Sequence, residues 1–136
     1  MSVKINPGPN KLSAIKRFSP AEASRTLPLV KKIVNDILRC GRQLQELYES
    51  DADRAVIEVK TLELEELTAE VEALGCEYKD WNFEIGLVDF PSVIDGQDVY
   101  LCWKSDEPGL MYYHGINEGF TGRKLIPKAL LEQSYA

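Results

Sequence analysis

Three side chains that can do chemistry follow one another at similar intervals in the second half of the sequence. They are Asp89, Cys102 and His114, the last being the only histidine. A carboxylate, a thiolate and an imidazole can together ligate zinc. The same groups suit a small hydrolase, in which a carboxylate orients a histidine that activates a thiol or a water molecule. We therefore take these three residues as the candidate catalytic set, with His114 as general acid or base.

Each of these residues also has a structural interpretation. Cys102 can be an inert thiol packed under helices, as most free cysteines are. His114 can be a hydrogen-bonded structural residue near Tyr100 or Tyr112. Asp89 can accept hydrogen bonds from the amides of a turn. A zinc site also needs a fourth ligand of clear origin, which the sequence does not offer, so we assign no metal ligand and leave the cofactor open.

A glycine-flanked loop, Gly119–Arg123, follows the third of these residues. The guanidinium of Arg123 can hold a carboxylate or a phosphate through two N–H groups. We assign Arg123, Glu107 and Tyr112 as candidate ligand-binding residues for a small anion. Glu107 can instead be the internal ion-pair partner of Arg123, and the sequence leaves both alternatives open.

The strand pattern predicts how these side chains are positioned. Asp95-Gly96 separates two apolar runs, Ile85–Ile94 and Gln97–Lys104, and this dipeptide is a strong signal for a two-residue hairpin turn. Such a turn sets Asp89 opposite Cys102.

A third predicted strand, Leu110–His114, returns after the loop Ser105–Gly109. This loop places Cys102 opposite Tyr112, and a shift by two residues places Cys102 opposite His114 instead. Both registers keep the candidate residues on one face of the sheet. The other face carries an apolar set that we expect to face the core: Val88, Phe90, Val99, Leu101, Trp103, Met111 and Tyr113.

Two amphipathic helices precede the strands. Ser19-Pro20-Ala21-Glu22 is a helix-start signal, and a second helix follows the turn at Ser50–Asp53 and ends at Gly75. The predicted fold class is α+β, with a long antiparallel helical hairpin packed on a small three-stranded antiparallel β-meander. Because Pro91 cannot donate a ladder hydrogen bond, we expect the first strand at an edge.

The predicted organisation is a mobile N-terminal arm and one domain. The arm covers residues 1–17 and the domain residues 18–136, which divide into the helical hairpin 19–75 and the meander with its C-terminal segment, 76–136. The first helix carries two neighbouring apolar stripes, more than the second helix can cover. We expect the sheet to cover part of the surplus and a second copy of the hairpin to cover the rest.

Charge is unevenly distributed along the 136 residues. The net charge of −6 resolves into +7 over residues 1–45, −13 over residues 46–100 and zero over residues 101–136. A nucleic-acid site needs a basic patch without competing acid, so we predict no nucleic-acid partner. The opposed charges instead favour two helices that lie side by side.

Composition indicates a soluble protein of the cytoplasm. Hydrophobic residues make up 44% of the chain, but no apolar run is long enough to span a membrane, and the first residues lack a signal-peptide core. The three cysteines have no disulfide or metal-knuckle spacing, which indicates free thiols in a reducing compartment. We predict no membrane partner.

Several short motifs are spread over residues 18–126. They are Phe18-Ser-Pro-Ala-Glu22-Ala23 with Leu27-Pro28, Gly86-Leu-Val-Asp-Phe-Pro91, Leu101-Cys-Trp-Lys104 with Glu107, His114, and Gly119-Phe-Thr-Gly-Arg123. Together these motifs resemble a bacterial family of unknown function, domain of unknown function 2203. The resemblance implies no activity and assigns no role to these residues.

The functional hypothesis is a homo-oligomeric cytosolic binding or scaffolding module with a polar patch on its sheet. It follows from the surplus apolar helix surface and from the lack of a specific catalytic motif. The alternative is a small hydrolase-like enzyme or a metal-binding protein that uses Asp89, Cys102 and His114. Whether the protein is an enzyme stays open.

Overall fold

The computed structural model describes residues 16–133 and shows an α+β fold. Most of the predicted arm, residues 1–15, lies outside the described residues. The elements, in chain order, are α1 (Pro20–Glu49), α2 (Arg54–Ala73), β1 (Glu77–Trp81), β2 (Ile85–Ile94), β3 (Gln97–Lys104), β4 (Tyr112–Gly115), a 3₁₀ turn (Phe120–Gly122), β5 (Lys124–Leu125) and α3 (Lys128–Leu131).

The predicted helical hairpin is present. The backbone N–H of Glu22 donates to the Ser19 hydroxyl at 3.0 Å, which is the expected N-cap. The connection between α1 and α2 is short, and across the hairpin the Lys60 ammonium donates to Gln43 Oε1 at 2.9 Å. The two helices therefore run antiparallel. Among residues 16–133, the ion pairs within the hairpin join residues of the same helix rather than α1 to α2.

The prediction of a three-stranded meander was wrong, because the sheet has five antiparallel strands in the order β1-β2-β3-β4-β5. The two additional strands are the edge strands. β1 has the sequence Glu-Tyr-Lys-Asp-Trp, in which exposed and half-buried residues alternate, and β5 is only two residues long. Neither has the apolar run that marked the inner strands.

The prediction that β2 is an edge strand was also wrong, since β1 pairs with it. That pairing ends at Glu77 opposite Asp89, two residues before Pro91. The Pro91 carbonyl faces the same side and accepts a hydrogen bond from the Phe18 backbone at 2.8 Å. Pro91 therefore lies in a part of β2 that β1 does not reach. Its lack of an N–H group costs the β1–β2 ladder no hydrogen bond.

The core lies between α1 and one face of the sheet. The predicted inward set is buried at its centre, with Val88, Phe90, Leu101 and Trp103 almost fully inaccessible, while Met111 and Tyr113 are half-buried. Both apolar stripes of α1 are largely covered by the sheet and α2, and the last buried residue of α1 is Gly41. No helix in the described part of the chain has the length and apolar character that crossing a membrane would require.

Candidate functional site

The strand registers bring the candidate residues to neighbouring positions. Asp89 of β2 pairs with Cys102 of β3, as predicted. In the next pair of strands Cys102 lies opposite Tyr112 and Tyr100 opposite His114, which is the first of the two predicted registers. Three adjacent strands thus each supply one side chain to the face that points away from α1, which we call the outer face.

Asp89, Cys102 and His114 form one compact cluster. Each offers one ligand atom, and these atoms all lie within 4.8 Å of one another. Cys102 is fully buried, and the side chains of His114 and Asp89 are 6% and 13% exposed. The structural alternative that placed Cys102 under the helices was wrong in its location, because alternation along β3 puts its neighbours Leu101 and Trp103 in the core and Cys102 on the outer face.

The orientation of the His114 ring is defined by two contacts. Nδ1 lies 2.9 Å from the carbonyl oxygen of Gly115, and Nε2 lies 3.4 Å from Oδ1 of Asp89. A carbonyl only accepts hydrogen bonds, so Nδ1 carries the proton. In the neutral imidazole Nε2 therefore keeps a lone pair directed at the cluster, which is the arrangement of a metal-binding histidine with a backbone carbonyl behind it.

Tyr100 and Glu77 flank the cluster. The Tyr100 ring packs on the His114 ring with centroids 5.6 Å apart, and its hydroxyl donates to Glu77 Oε2 at 2.9 Å. Glu77 lies opposite Asp89 on β1. The sequence did not indicate Glu77 as part of the site because β1 was not predicted, and its short polar alternation was the only signal.

Burial raises the pKa of both acidic groups in the cluster, Asp89 and Cys102. It raises the pKa of Asp89, against the opposing effects of His114 and of a hydrogen bond from Cys102. Burial, followed by the charge of Asp89, raises the pKa of Cys102 to about 12, although Arg123 opposes this shift. A nucleophilic cysteine needs a lowered pKa, so this thiol is not activated by its protein neighbours.

Arg123 and Glu107 face each other at the edge of the cluster. Nη2 and Nη1 of Arg123 donate to the two carboxylate oxygens of Glu107 at 2.8 and 3.1 Å. The guanidinium lies 4.1 Å from the ring centroids of both Tyr112 and Phe120. Burial alone would lower the pKa of Arg123, but its bonds to Glu107 outweigh this effect and raise it. The internal ion pair is thus formed, and a role of these residues in binding a ligand stays a prediction.

The connection between β4 and β5 covers the outer face at this point. Its Phe120 ring packs edge-on against Trp81, with centroids 5.5 Å apart, and the Lys104 ammonium lies 5.4 Å from the Phe120 centroid. Two surface cavities, of about 530 and 680 Å³, lie elsewhere and neither is lined by the cluster. The cluster therefore lies outside both cavities, and its side chains are almost inaccessible to solvent.

The geometry suits a metal ion better than a catalytic triad. In a triad one ring nitrogen of the histidine binds the carboxylate and the other activates the nucleophile. Here a backbone carbonyl, that of Gly115, accepts the Nδ1 proton, and the carboxylate of Asp89 lies beside Nε2, the nitrogen that would have to face Cys102. Ligand atoms bound tetrahedrally to one zinc ion lie about 3.3–3.8 Å apart, as follows from bond lengths of about 2.0–2.3 Å. The observed separations require only small movements to reach this arrangement.

Comparison with known proteins identifies the family and nothing beyond it. The family of uncharacterized conserved proteins named DUF2203 matches residues 16–126, a range that contains Asp89, Cys102, His114 and Arg123. No curated protein and no solved structure matches the chain. Since the match extends over most of the sequence, the chain belongs to the DUF2203 family.

Proposed function

We propose that this protein binds one divalent transition-metal ion of the zinc class through Asp89, Cys102 and His114. The observation that carries the proposal is the convergence of a carboxylate, a thiol and an imidazole, from three adjacent strands, within 4.8 Å. This is the number of protein ligands found in catalytic zinc sites, where water or a substrate takes the fourth position.

Charge balance supports a divalent ion in so buried a place. A carboxylate, a thiolate and a neutral imidazole neutralise a charge of +2, so the loaded site carries no net charge into the protein interior. A cation beside Cys102 also stabilises the thiolate that burial disfavours. Arg123, which interacts with the Cys102 sulfur, and its partner Glu107 then form the outer shell of the site.

The fourth coordination position of the proposed metal ion is open to a ligand that the protein does not supply. The three ligands project from one face of the sheet, so the remaining position points away from it, towards the segment that carries Arg123. A water molecule or a small anion there would be close to a guanidinium, in keeping with the anionic ligand expected from the sequence. Free, buried cysteines suit a reducing compartment, and we place this function in the cytoplasm.

Cobalt substitution tests the proposal. Protein freed of metal by a chelator and loaded with one equivalent of Co²⁺ should show a thiolate-to-cobalt charge-transfer band and the visible bands of four-coordinate cobalt. Cys102→Ser should abolish the charge-transfer band, and His114→Ala should weaken metal binding by about tenfold or more.

The chain offers matched controls for this experiment. Cys40 and Cys76 are buried cysteines outside the cluster, so Cys40→Ala and Cys76→Ala should keep the band. A band that persists in Cys102→Ser, or the absence of any cobalt band in a folded wild-type sample, contradicts the proposal. The cluster would then be a buried hydrogen-bonded group with a structural role.

A further inference from the structure

We propose that residues 119–123, in the connection between β4 and β5, form a lid that opens and closes over the cluster of Asp89, Cys102 and His114. This segment is called the lid below. Its motion needs no ligand. The role that we assign to the motion, the admission of a metal ion and of its fourth ligand, rests on the proposed function.

The ligand atoms of the cluster are hardly accessible from solvent. Cys102 and His114 are buried, and little of the Asp89 side chain is exposed. Neither of the two surface cavities is lined by these residues. A metal ion or a reagent can therefore reach the Cys102 sulfur only after part of its cover has moved.

The lid lies against the cluster through Arg123. The Arg123 side chain interacts with the Cys102 sulfur, and its guanidinium packs on the ring of Tyr112, which lies opposite Cys102 on β4. On the side of β1, the Phe120 ring of the lid packs edge-on against Trp81, with centroids 5.5 Å apart. The lid thus extends across the outer face of the sheet beside the cluster.

Side chains alone hold the lid in place. Among residues 16–133, no backbone hydrogen bond joins the lid to another element. The amides of Gly122 and Arg123 donate at 2.9 and 3.2 Å to carbonyls of the lid itself, those of Gly119 and Phe120. No residue of the lid is fully buried. The lid can therefore swing outwards as a unit without breaking a backbone hydrogen bond.

The other neighbours of the cluster are more firmly held. Tyr100 and Glu77, which flank it, belong to β3 and β1, and both strands are paired along their length. Displacing either strand breaks several backbone hydrogen bonds, whereas opening the lid breaks none. Segments that move over binding sites come from the least stable parts of a structure. The lid is accordingly the part of the cover that opens at the lowest free energy.

Two side-chain contacts keep the lid closed. One is the pair of Arg123 with Glu107, and the other is the ring contact of Phe120 with Trp81. The ring contact is the better one to remove, because Trp81 is 49% exposed and lies at the opposite end of β1 from Glu77. Trp81→Ala therefore releases one contact of the lid and keeps all three proposed metal ligands.

Alkylation of cysteines by N-ethylmaleimide in the full metal-free chain tests the opening, with each cysteine quantified by mass spectrometry after proteolysis. Cys76 belongs to the hydrophobic core, so it reports the opening of the whole fold and is the internal control. We expect Cys102 to react faster than Cys76. Low urea concentrations should barely change its rate, because the opening of a short loop exposes little surface.

Trp81→Ala should accelerate the alkylation of Cys102 about three- to tenfold, which is the value of an edge-on ring contact, and should affect Cys76 much less. Tyr48→Ala is the matched control: Tyr48 is an aromatic residue of α1 that is 64% exposed, and its removal should leave the rate of Cys102 unchanged. A Cys102 rate that Trp81→Ala does not change overturns the proposal. So does a Cys102 that reacts no faster than Cys76, or as fast as in the unfolded chain.

Metal ions separate this proposal from the proposed function. Zn²⁺ should protect Cys102 from the reagent, and the charge-transfer band of Co²⁺ should appear faster in Trp81→Ala than in wild type. If Trp81→Ala accelerates the alkylation of Cys102 but Zn²⁺ gives no protection, the metal site is contradicted and the motion of the lid stands. If Zn²⁺ protects Cys102 but Co²⁺ enters both proteins equally fast, the role of the lid in admitting the ion is overturned.

Discussion

At the scale of single residues, the Arg123–Glu107 pair is a buried ion pair with a large expected effect on stability. Its two side chains are 13% and 11% exposed, and Glu107 also accepts a hydrogen bond from the Lys104 backbone at 2.9 Å. Removing one partner of a buried pair leaves an uncompensated charge.

We expect Glu107→Ala to lower the free energy of unfolding by about 3 kcal/mol, measured by urea denaturation. The control is Glu132→Ala, which removes the partner of Lys128 in an exposed pair and should change stability by less than about 0.5 kcal/mol. Equal effects for the two variants would show that the Arg123–Glu107 pair makes no special contribution.

Cys76 gives a prediction for the dependence of stability on pH. Burial raises its thiol pKa from 9.0 to about 12, against the weaker effect of Lys16. In alkaline solution the unfolded chain therefore loses this proton before the folded chain does, and the folded state binds more protons. Stability must then fall as the pH rises from about 9 towards 12.

Urea denaturation at several pH values checks this prediction. The wild-type protein should lose about 1 kcal/mol per pH unit through Cys76 above pH 9. Cys76→Ala should show a shallower fall, whatever its stability at neutral pH. Identical slopes in the two proteins would contradict the raised pKa.

At the scale of elements, the contact between α1 and the β1–β2 turn depends on a glycine. A Cβ atom added at Gly41 would overlap the side of the Phe83 ring. In an exposed helix a glycine-to-alanine change stabilises by about 1 kcal/mol, but here the helix and the turn must separate.

Gly41→Ala should therefore destabilise the protein by about 1–3 kcal/mol. Thermal denaturation shows whether Gly41→Ala lowers or raises the stability of the protein. In a Phe83→Ala background the ring is absent, so the same Gly41→Ala change should no longer destabilise. A stabilised Gly41→Ala protein would mean that α1 and the turn are not in close contact.

The elements that the sequence predicted well are those with two independent signals. The β2–β3 register rests on the Asp95-Gly96 turn and on the alternation that buries Phe90 and Leu101, and both agree. β1 and β5 had neither signal, because their side chains are exposed or half-buried and no Asp-Gly turn joins them to the strands with which they pair. For the same reason Glu77 was missed.

The candidate site was also predictable only in part. The alternation of side chains along the strands was enough to place Asp89, Cys102 and His114 on one face of the sheet. The hydrogen bond of His114 to the Gly115 carbonyl and the approach of Asp89 to Nε2 depend on backbone positions that no pattern of residue types encodes. These two contacts, with the short distances between the ligand atoms, are what favour a metal over a triad.

At the scale of the whole molecule, the two halves of the fold have separate tasks in this account. The inner end of the hairpin and the sheet share one core, the outer face of the sheet holds the polar cluster, and the hairpin between Gly41 and Val71 has no fully buried residue. The net charge of −6 reflects mainly the acidic middle of the sequence, residues 46–100, to which α2 belongs. The polar cluster lies on the sheet, outside this acidic helix.

The metal content of the purified full-length protein tests the central claim most directly. Elemental analysis after extensive dialysis against metal-free buffer should find one zinc-class ion per chain in the wild type. The Asp89→Ala, Cys102→Ala and His114→Ala variants should each retain much less, while Cys40→Ala retains the full amount. A folded wild-type protein that remains metal-free after incubation with excess Zn²⁺ and dialysis would contradict the account.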